Sequence, residues 1–310
     1  MTPLNFKLPT PKPATTVARP HTAVELAPEG ALAATLAGAA PTYAFAPLPP
    51  GALVPGIAEP NLKAPDAVAD ALRTALDKVE PKKRFVSLIL PDTSARVFVL
   101  DFDTLPVKLA EAISVLRFRL RKMIPFDVEH AAVTYQILTR NSSSETAGPV
   151  RALVTVTPGP ILAEYEAAVR AAGYEPGAVL PSSLAALAAV DSLEAVLAAN
   201  LSSIALTTSI TMGDDLLLYR TIELPADNTA RVDEVQRSVA VAAAWYEDKL
   251  QTPARRLHYA GAVPAADFAR AIADARLEVV EIAPTPATGA ITSAGPIGFA
   301  GIAGALAGVA

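Results

Sequence analysis

Residues 86–138 read VSLILPDTSARVFVLDFDTLPVKLAEAISVLRFRLRKMIPFDVEHAAVTYQIL. Two strands, Phe85–Leu90 and Arg96–Leu100, are expected around the Pro91-Asp92 turn. Pro106 opens a helix with Leu109, Ile113, Leu116, Leu120 and Met123 on one stripe. Pro125 stops it, because the residue before a proline is pushed out of the helical region. Strands Ala132–Leu138 and Val150–Val156 follow, joined by the polar loop Asn141–Gly148, and a second helix, Ile161–Ala172, ends at Gly173. Residues 84–180 thus form a compact strand–helix–strand–strand–helix α+β module.

Upstream, Thr22–Leu26, Ala31–Leu36 and Thr42–Pro47 read as strands, the first two joined by the Pro28-Glu29-Gly30 turn. Asp66 caps a helix that runs to about Val79. Residues 1–20 hold five prolines and no apolar run, and read as a flexible leader. Downstream, Ile204–Thr208, Leu216–Ile222, Leu257–Ala260 and Glu278–Ile282 alternate as strands with helices at Arg231–Leu250 and Ala265–Ala275. Residues 289–310 carry no charge and six glycines. They read as a buried terminal helix, favoured because Pro296 breaks the run and no Lys or Arg follows, with a membrane tail anchor as the alternative.

Composition narrows the chemistry. The chain has 310 residues, which suggests two domains or one large divided one, and no cysteine, so disulfides and thiolate sites are excluded. Its three histidines lie far apart, and no metal site is expected. A net charge of −5 argues against a nucleic-acid binder. There is no Walker-type phosphate loop and no G-x-S-x-G, and no catalytic residue is assigned. Gly298, Gly301 and Gly304 are spaced G-x-x-G-x-x-G, which reads as packing.

Leu90-Pro91-Asp92, Ile124-Pro125-Phe126, Tyr135-Gln136, Ala172-Gly173-Tyr174-Glu175-Pro176, Leu218-Tyr219-Arg220 and Glu234-Val235-Gln236-Arg237-Ser238 fall in one order. In that order the chain resembles the type IV pilus assembly protein PilM family, which has an actin-like, FtsA-related fold. The resemblance implies an α/β, actin-like ATPase (ribonuclease H-like) fold. Its parts would be a leader at 1–20, a first subdomain part at 21–83, the inserted SHS2-like module at 84–180 and the remaining body at 181–310. The family's first phosphate hairpin, D-I-G-x-x-x-x-K, falls on Glu25 to Leu32, where aspartate is Glu25, glycine is Ala27 and Pro28 removes an N–H donor. Its second falls on Leu206–Ile210, without carboxylate or glycine, and its adenosine-side G-G falls on Gly261-Ala262.

The resemblance, with these departures, therefore implies a cytoplasmic scaffold, a pseudo-ATPase with no cofactor, in which Glu25, Gly30 and Gly261 are vestiges of a nucleotide site. Its partner would be the N-terminal tail of a PilN-like inner-membrane protein, with other pilus or secretion components, so that membrane association is indirect and peripheral. The tail would dock between the first subdomain and the inserted module, near Arg117, Arg121 and Phe126. The alternatives are a working actin-like ATPase using ATP and Mg²⁺, with Glu25 serving as the aspartate, and the cytoplasmic part of a type II secretion platform.

Overall fold

The computed structural model describes residues 19–36, 40–138, 150–190, 192–274, 276–283 and 297–307. Most of the leader, the 141–148 loop and the ends of the 289–310 stretch lie outside them. The first lobe begins with strands β1 (Thr22–Ala27), β2 (Gly30–Leu36) and β3 (Pro41–Pro47), helix α1 (Pro65–Val79) and strand β4 (Phe85–Leu90). A 3₁₀ turn at Asp92–Ser94 leads into the module: β5 (Arg96–Phe102), α2 (Leu109–Leu120), β6 (Ala131–Ile137) and β7 (Val150–Pro158). The chain returns through α3 (Gly159–Ala171), β8 (Glu175–Pro181) and α4 (Ser182–Leu187).

The second lobe holds β9 (Ala195–Leu201), β10 (Ala205–Met212), β11 (Asp215–Glu223), α5 (Asn228–Leu250), β12 (Arg256–Gly261), α6 (Ala265–Ile272) and β13 (Glu278–Glu281). Helix α7 (Ala300–Ala307) then packs back on β1, β2 and β4 of the first lobe. The two five-stranded sheets repeat one plan, β3-β2-β1-β4-β8 and β11-β10-β9-β12-β13. In each, an antiparallel three-strand meander continues into two parallel strands. Parallel strands with both faces covered need near-continuous apolar sequence, and Phe85–Leu90, interrupted by the buried Ser87, supplies it. Along β1, Val24 and Leu26 face α1 and α3, while Ala23 and Glu25 face α7.

Several local expectations need correction. Asp66 does not cap α1: Ala64 occupies the cap position and Pro65 takes the first turn, where its missing N–H costs nothing. Helix α2 starts at Leu109, three residues after Pro106, and its inward stripe is Ala112, Leu116 and Leu120. Leu109 and Met123 face solvent instead. Asp101 pairs across β5–β7 with Arg151 at 2.9 Å. The three glycines of the 298–304 run do serve packing. A β-carbon at Gly304 would fall 1.8 Å from the Ala185 carbonyl oxygen, so α7 and α4 touch backbone to backbone only because no side chain intervenes.

Candidate functional site

Strands β1, β4 and β8 point their carboxyl ends at those of β9 and β12, and the crevice between them is where an open α/β fold places a ligand. Its walls are the Ala27–Glu29 turn, the Leu201–Ile204 turn, Gly261-Ala262 and the segment around Gly298 and Gly301. The second hairpin therefore turns at Leu201–Ile204, between β9 and β10. Leu206–Ile210, where the resemblance puts that hairpin, instead lies inside β10. At the end of β9, Asn200, Leu201 and Ser202 line the crevice from the second lobe as Glu25, Leu26 and Ala27 do at the end of β1.

Asn200 organises the crevice. Its side-chain nitrogen donates to the hydroxyl oxygens of Ser182, at 3.3 Å, and Ser183, at 2.9 Å. Ser182 in turn donates to Glu25 at 2.6 Å, and Ser183 donates to Asp92. Asp92 also accepts from the Ser183 backbone N–H at 3.0 Å, Tyr219 at 3.1 Å and Thr207 at 3.2 Å. One amide of the second lobe thus holds two carboxyl groups of the first lobe through a pair of serines.

The electrostatics follow from that enclosure. Burial pushes the Glu25 carboxyl up to about 7, helped by the charge of Asp92, while the Ser182 hydroxyl and the Ile302 backbone N–H pull it down. Glu25 Oε2 is buried without a full hydrogen bond among the described residues. Desolvation likewise raises Asp92, against its four donors. Next to Glu25 lies the first turn of α7: a β-carbon on Gly301 would meet the carboxylate oxygens at 2.7 and 2.8 Å. Gly298 closes the far side against Gly261, where a β-carbon would come within 2.9 Å of backbone.

What remains open is about 50 Å³. That admits a few waters, well short of the roughly 300 Å³ at which small-molecule pockets begin. Of the expected vestiges, Glu25 and Gly261 line the crevice, but Gly30 lies outside its lining and packs against Phe45 and the Ala46 carbonyl. Gly261 is required by its own lobe, since a β-carbon would strike the Tyr259 hydroxyl at 2.3 Å. Among the described residues, no group of three His, Asp or Glu side chains could hold a metal ion.

A second opening, of about 430 Å³, lies between the module and the first lobe. Phe126, Asp127 and His130 form one side; Ile57, Pro60 and Glu164 are among the residues of the other. The walls are fixed from below. Glu164 Oε2 accepts the backbone N–H groups of Asn61 at 2.8 Å and Leu62 at 2.9 Å, which pins the 56–62 loop. Asn61 donates to Ser94 and Tyr165, and burial raises the Tyr165 hydroxyl to about 12. This buried network ties the groove floor to α3 and the Asp92–Ser94 turn, although Asn61 Oδ1 finds no hydrogen-bond partner among the described residues.

Phe126 is half-buried and lines this groove. Arg117 and Arg121 do not line it. Arg117 donates to the carbonyls of Glu129 at 2.9 Å and Ala131 at 3.1 Å, and Arg121 pairs with the Glu129 carboxylate. Both guanidinium groups fasten the segment leading into β6. Asp92, Ser182, Ser183, Asn200 and Glu164 escape sequence reasoning, although Asp92 sits in the Leu90-Pro91-Asp92 motif and Asn200 ends a strand that an alanine-rich run conceals.

No family model matches the chain, and no curated protein matches it. Solved structures do. A chain of the PilM–PilN type IV pilus biogenesis complex has a TM-score of 0.69 at 19% identity, with 94% of this chain and 99% of that chain covered. The cytoplasmic domain of EpsL, an inner-membrane component of the type II secretion system of Vibrio cholerae, gives 0.47 at 15% identity over 77% and 80% of the two chains. A Bacteroides thetaiotaomicron protein with an actin-like ATPase fold and unknown function gives 0.47 at 10% identity over 86% and 92%. The chain has the actin-like fold, with a three-stranded module inserted between β4 and β8 of its first lobe.

Proposed function

We propose that this chain is an actin-like cytoplasmic scaffold of a type IV pilus or related secretion machine. It docks the N-terminal tail of a PilN-like membrane protein and works without nucleotide, as a pseudo-ATPase. The observation that carries this reading is the contrast between the two openings. The groove beside Phe126 offers about 430 Å³, whereas the crevice between the lobes offers about 50 Å³. An extended tail needs a preformed groove with apolar pockets and main-chain partners, and no chemistry. Hydrolysis needs phosphates cradled by backbone N–H groups. At the first hairpin Pro28 lacks that donor and Glu29 brings a negative charge to the wall. At the second, Asn200 is committed to Ser182 and Ser183.

On this reading the protein sits at the inner face of the inner membrane through its partner. Support comes from the full-length likeness to a chain of the PilM–PilN complex together with the groove's position between first lobe and module. A labelled peptide of a PilN-like cytoplasmic tail, titrated with the protein and followed by fluorescence anisotropy, tests it. Saturable binding that Phe126→Ala weakens about thirtyfold, with an unchanged circular dichroism spectrum, is expected for a pocket-lining aromatic. Saturable binding left undiminished by that substitution would place the tail elsewhere, and no binding at all would overturn the docking role.

A further inference from the structure

Helix α2 buries Ala112, Leu116 and Leu120 against the module's sheet and turns Val115 and Phe118 outward. These two lie one helical turn apart, and Lys122 continues the same stripe with Arg119 beside it. Phe118 is 69% exposed and Val115 36%, with Met123 at 41% just past the helix end. Single exposed apolar residues are ordinary, but an exposed aromatic with aliphatic neighbours on one helix face marks a contact surface. The charge around it is mostly positive. Between Lys108 and Met123 the chain carries five cations and a single carboxylate, Glu111, in a protein whose net charge is −5. Arg117 and Arg121 are held by the Glu129 segment and Lys108 pairs with Glu111. Arg119 and Lys122 make no ion pair among the described residues.

We propose that the outer face of α2 rests directly on an anionic membrane surface, with Phe118 and Val115 entering the headgroup boundary and Arg119 and Lys122 meeting lipid phosphates. A convex helix face with aromatic and aliphatic side chains flanked by Arg and Lys is the form that lies in a bilayer interface, its cations reaching up to the headgroups along apolar stems. Charge complementarity selects the anionic leaflet. The contact goes beyond tail docking and stands whether or not the groove beside Phe126 takes a peptide. With two unpaired cations and a small apolar area it is weak and reversible, and it gains effect when a second attachment holds the protein at the membrane.

Co-sedimentation of the full-length protein with phosphatidylglycerol-rich vesicles, against vesicles of phosphatidylcholine alone, tests the contact. Binding to the anionic vesicles only, lost at high salt, is expected. The double variant Arg119→Gln/Lys122→Gln should reduce it about tenfold, at roughly a factor of a few per cation. Phe118→Ser should also reduce it, and both variants should keep the wild-type circular dichroism spectrum. Absence of binding to anionic vesicles, equal binding to both vesicle types, or binding unchanged in the double variant would each overturn the proposal. So would retention of an acidic protein partner through Phe118 by a chain that ignores vesicles.

Discussion

The carboxylate of Glu25 lies against the α-carbon of Gly301, so closely that a β-carbon at that position would fall 2.7 Å from Oε2. The first turn of α7 therefore occupies the space beside the first hairpin, and the chain itself fills the crevice of its actin-like body. Gly301→Ala would ordinarily favour a helix by about 1 kcal/mol. Here we predict the opposite sign, a loss of roughly 1–3 kcal/mol in urea unfolding, because the new methyl displaces a buried carboxyl that is held by Ser182. A stabilised variant would mean that α7 does not press on Glu25.

Stability should fall with rising pH across the neutral range. The folded protein keeps the Glu25 proton up to about pH 7, while the unfolded chain releases it near 4.5. The contribution is thus complete below about 4.5 and is lost as pH rises through 7, at most about 3 kcal/mol. Asp92, also raised by burial, acts with the same sign. Glu25→Gln should flatten the profile between pH 5 and 8 and be more stable than the wild type at the upper end, by about 1–2 kcal/mol after partial relaxation. Parallel melting curves for the two proteins across that range would refute the assignment.

Asn200→Asp tests the fork between the lobes. It replaces the donor to Ser182 and Ser183 with a third carboxylate facing Glu25 and Asp92. A loss of about 3 kcal/mol is expected at pH 8, part of it recovered at pH 5 as the carboxyls take up protons. Thermal unfolding at the two pH values reads it, and a pH-independent loss would mean that the carboxyls do not sense residue 200.

How far the sequence reaches depends on local punctuation. Strands β1 to β4 are legible because Pro28, Gly30 and Pro91 interrupt apolar runs. Strands β8 and β9 are not. Glu175–Pro181 carries two prolines, tolerated because β8 is an edge strand, and Ala195–Leu201 is rich in alanine, a poor strand former. Pairing with β4 makes a strand of β8, and pairing with β10 and β12 makes one of β9; the β4 and β12 partners are non-local. Overlooking β9 shifts the second hairpin onto Leu206–Ile210 and hides Asn200. Phe126 is findable as the aromatic after the helix-stopping Pro125, whereas the pairing of Arg117 and Arg121 with the Glu129 segment depends on how the 121–130 turn folds back.

Arg117→Ala should loosen that turn while leaving the module folded. The carbonyls of Glu129 and Ala131 lose their charged donor, at about 1–2 kcal/mol. Hydrogen exchange should quicken in the 127–131 segment and stay slow in β7. Unchanged protection at 127–131 would show that the guanidinium does not hold it.

Calorimetric titration of the full-length protein with Mg-ATP is the most direct test of a nucleotide-free scaffold. With Gly298 against Gly261, Gly301 against Glu25 and about 50 Å³ left open, we predict no binding tighter than about 1 mM, equivalent to about −4 kcal/mol. A saturable isotherm in the micromolar range would contradict it, and would mean that the lobes open to seat a nucleotide where Asn200 now joins them.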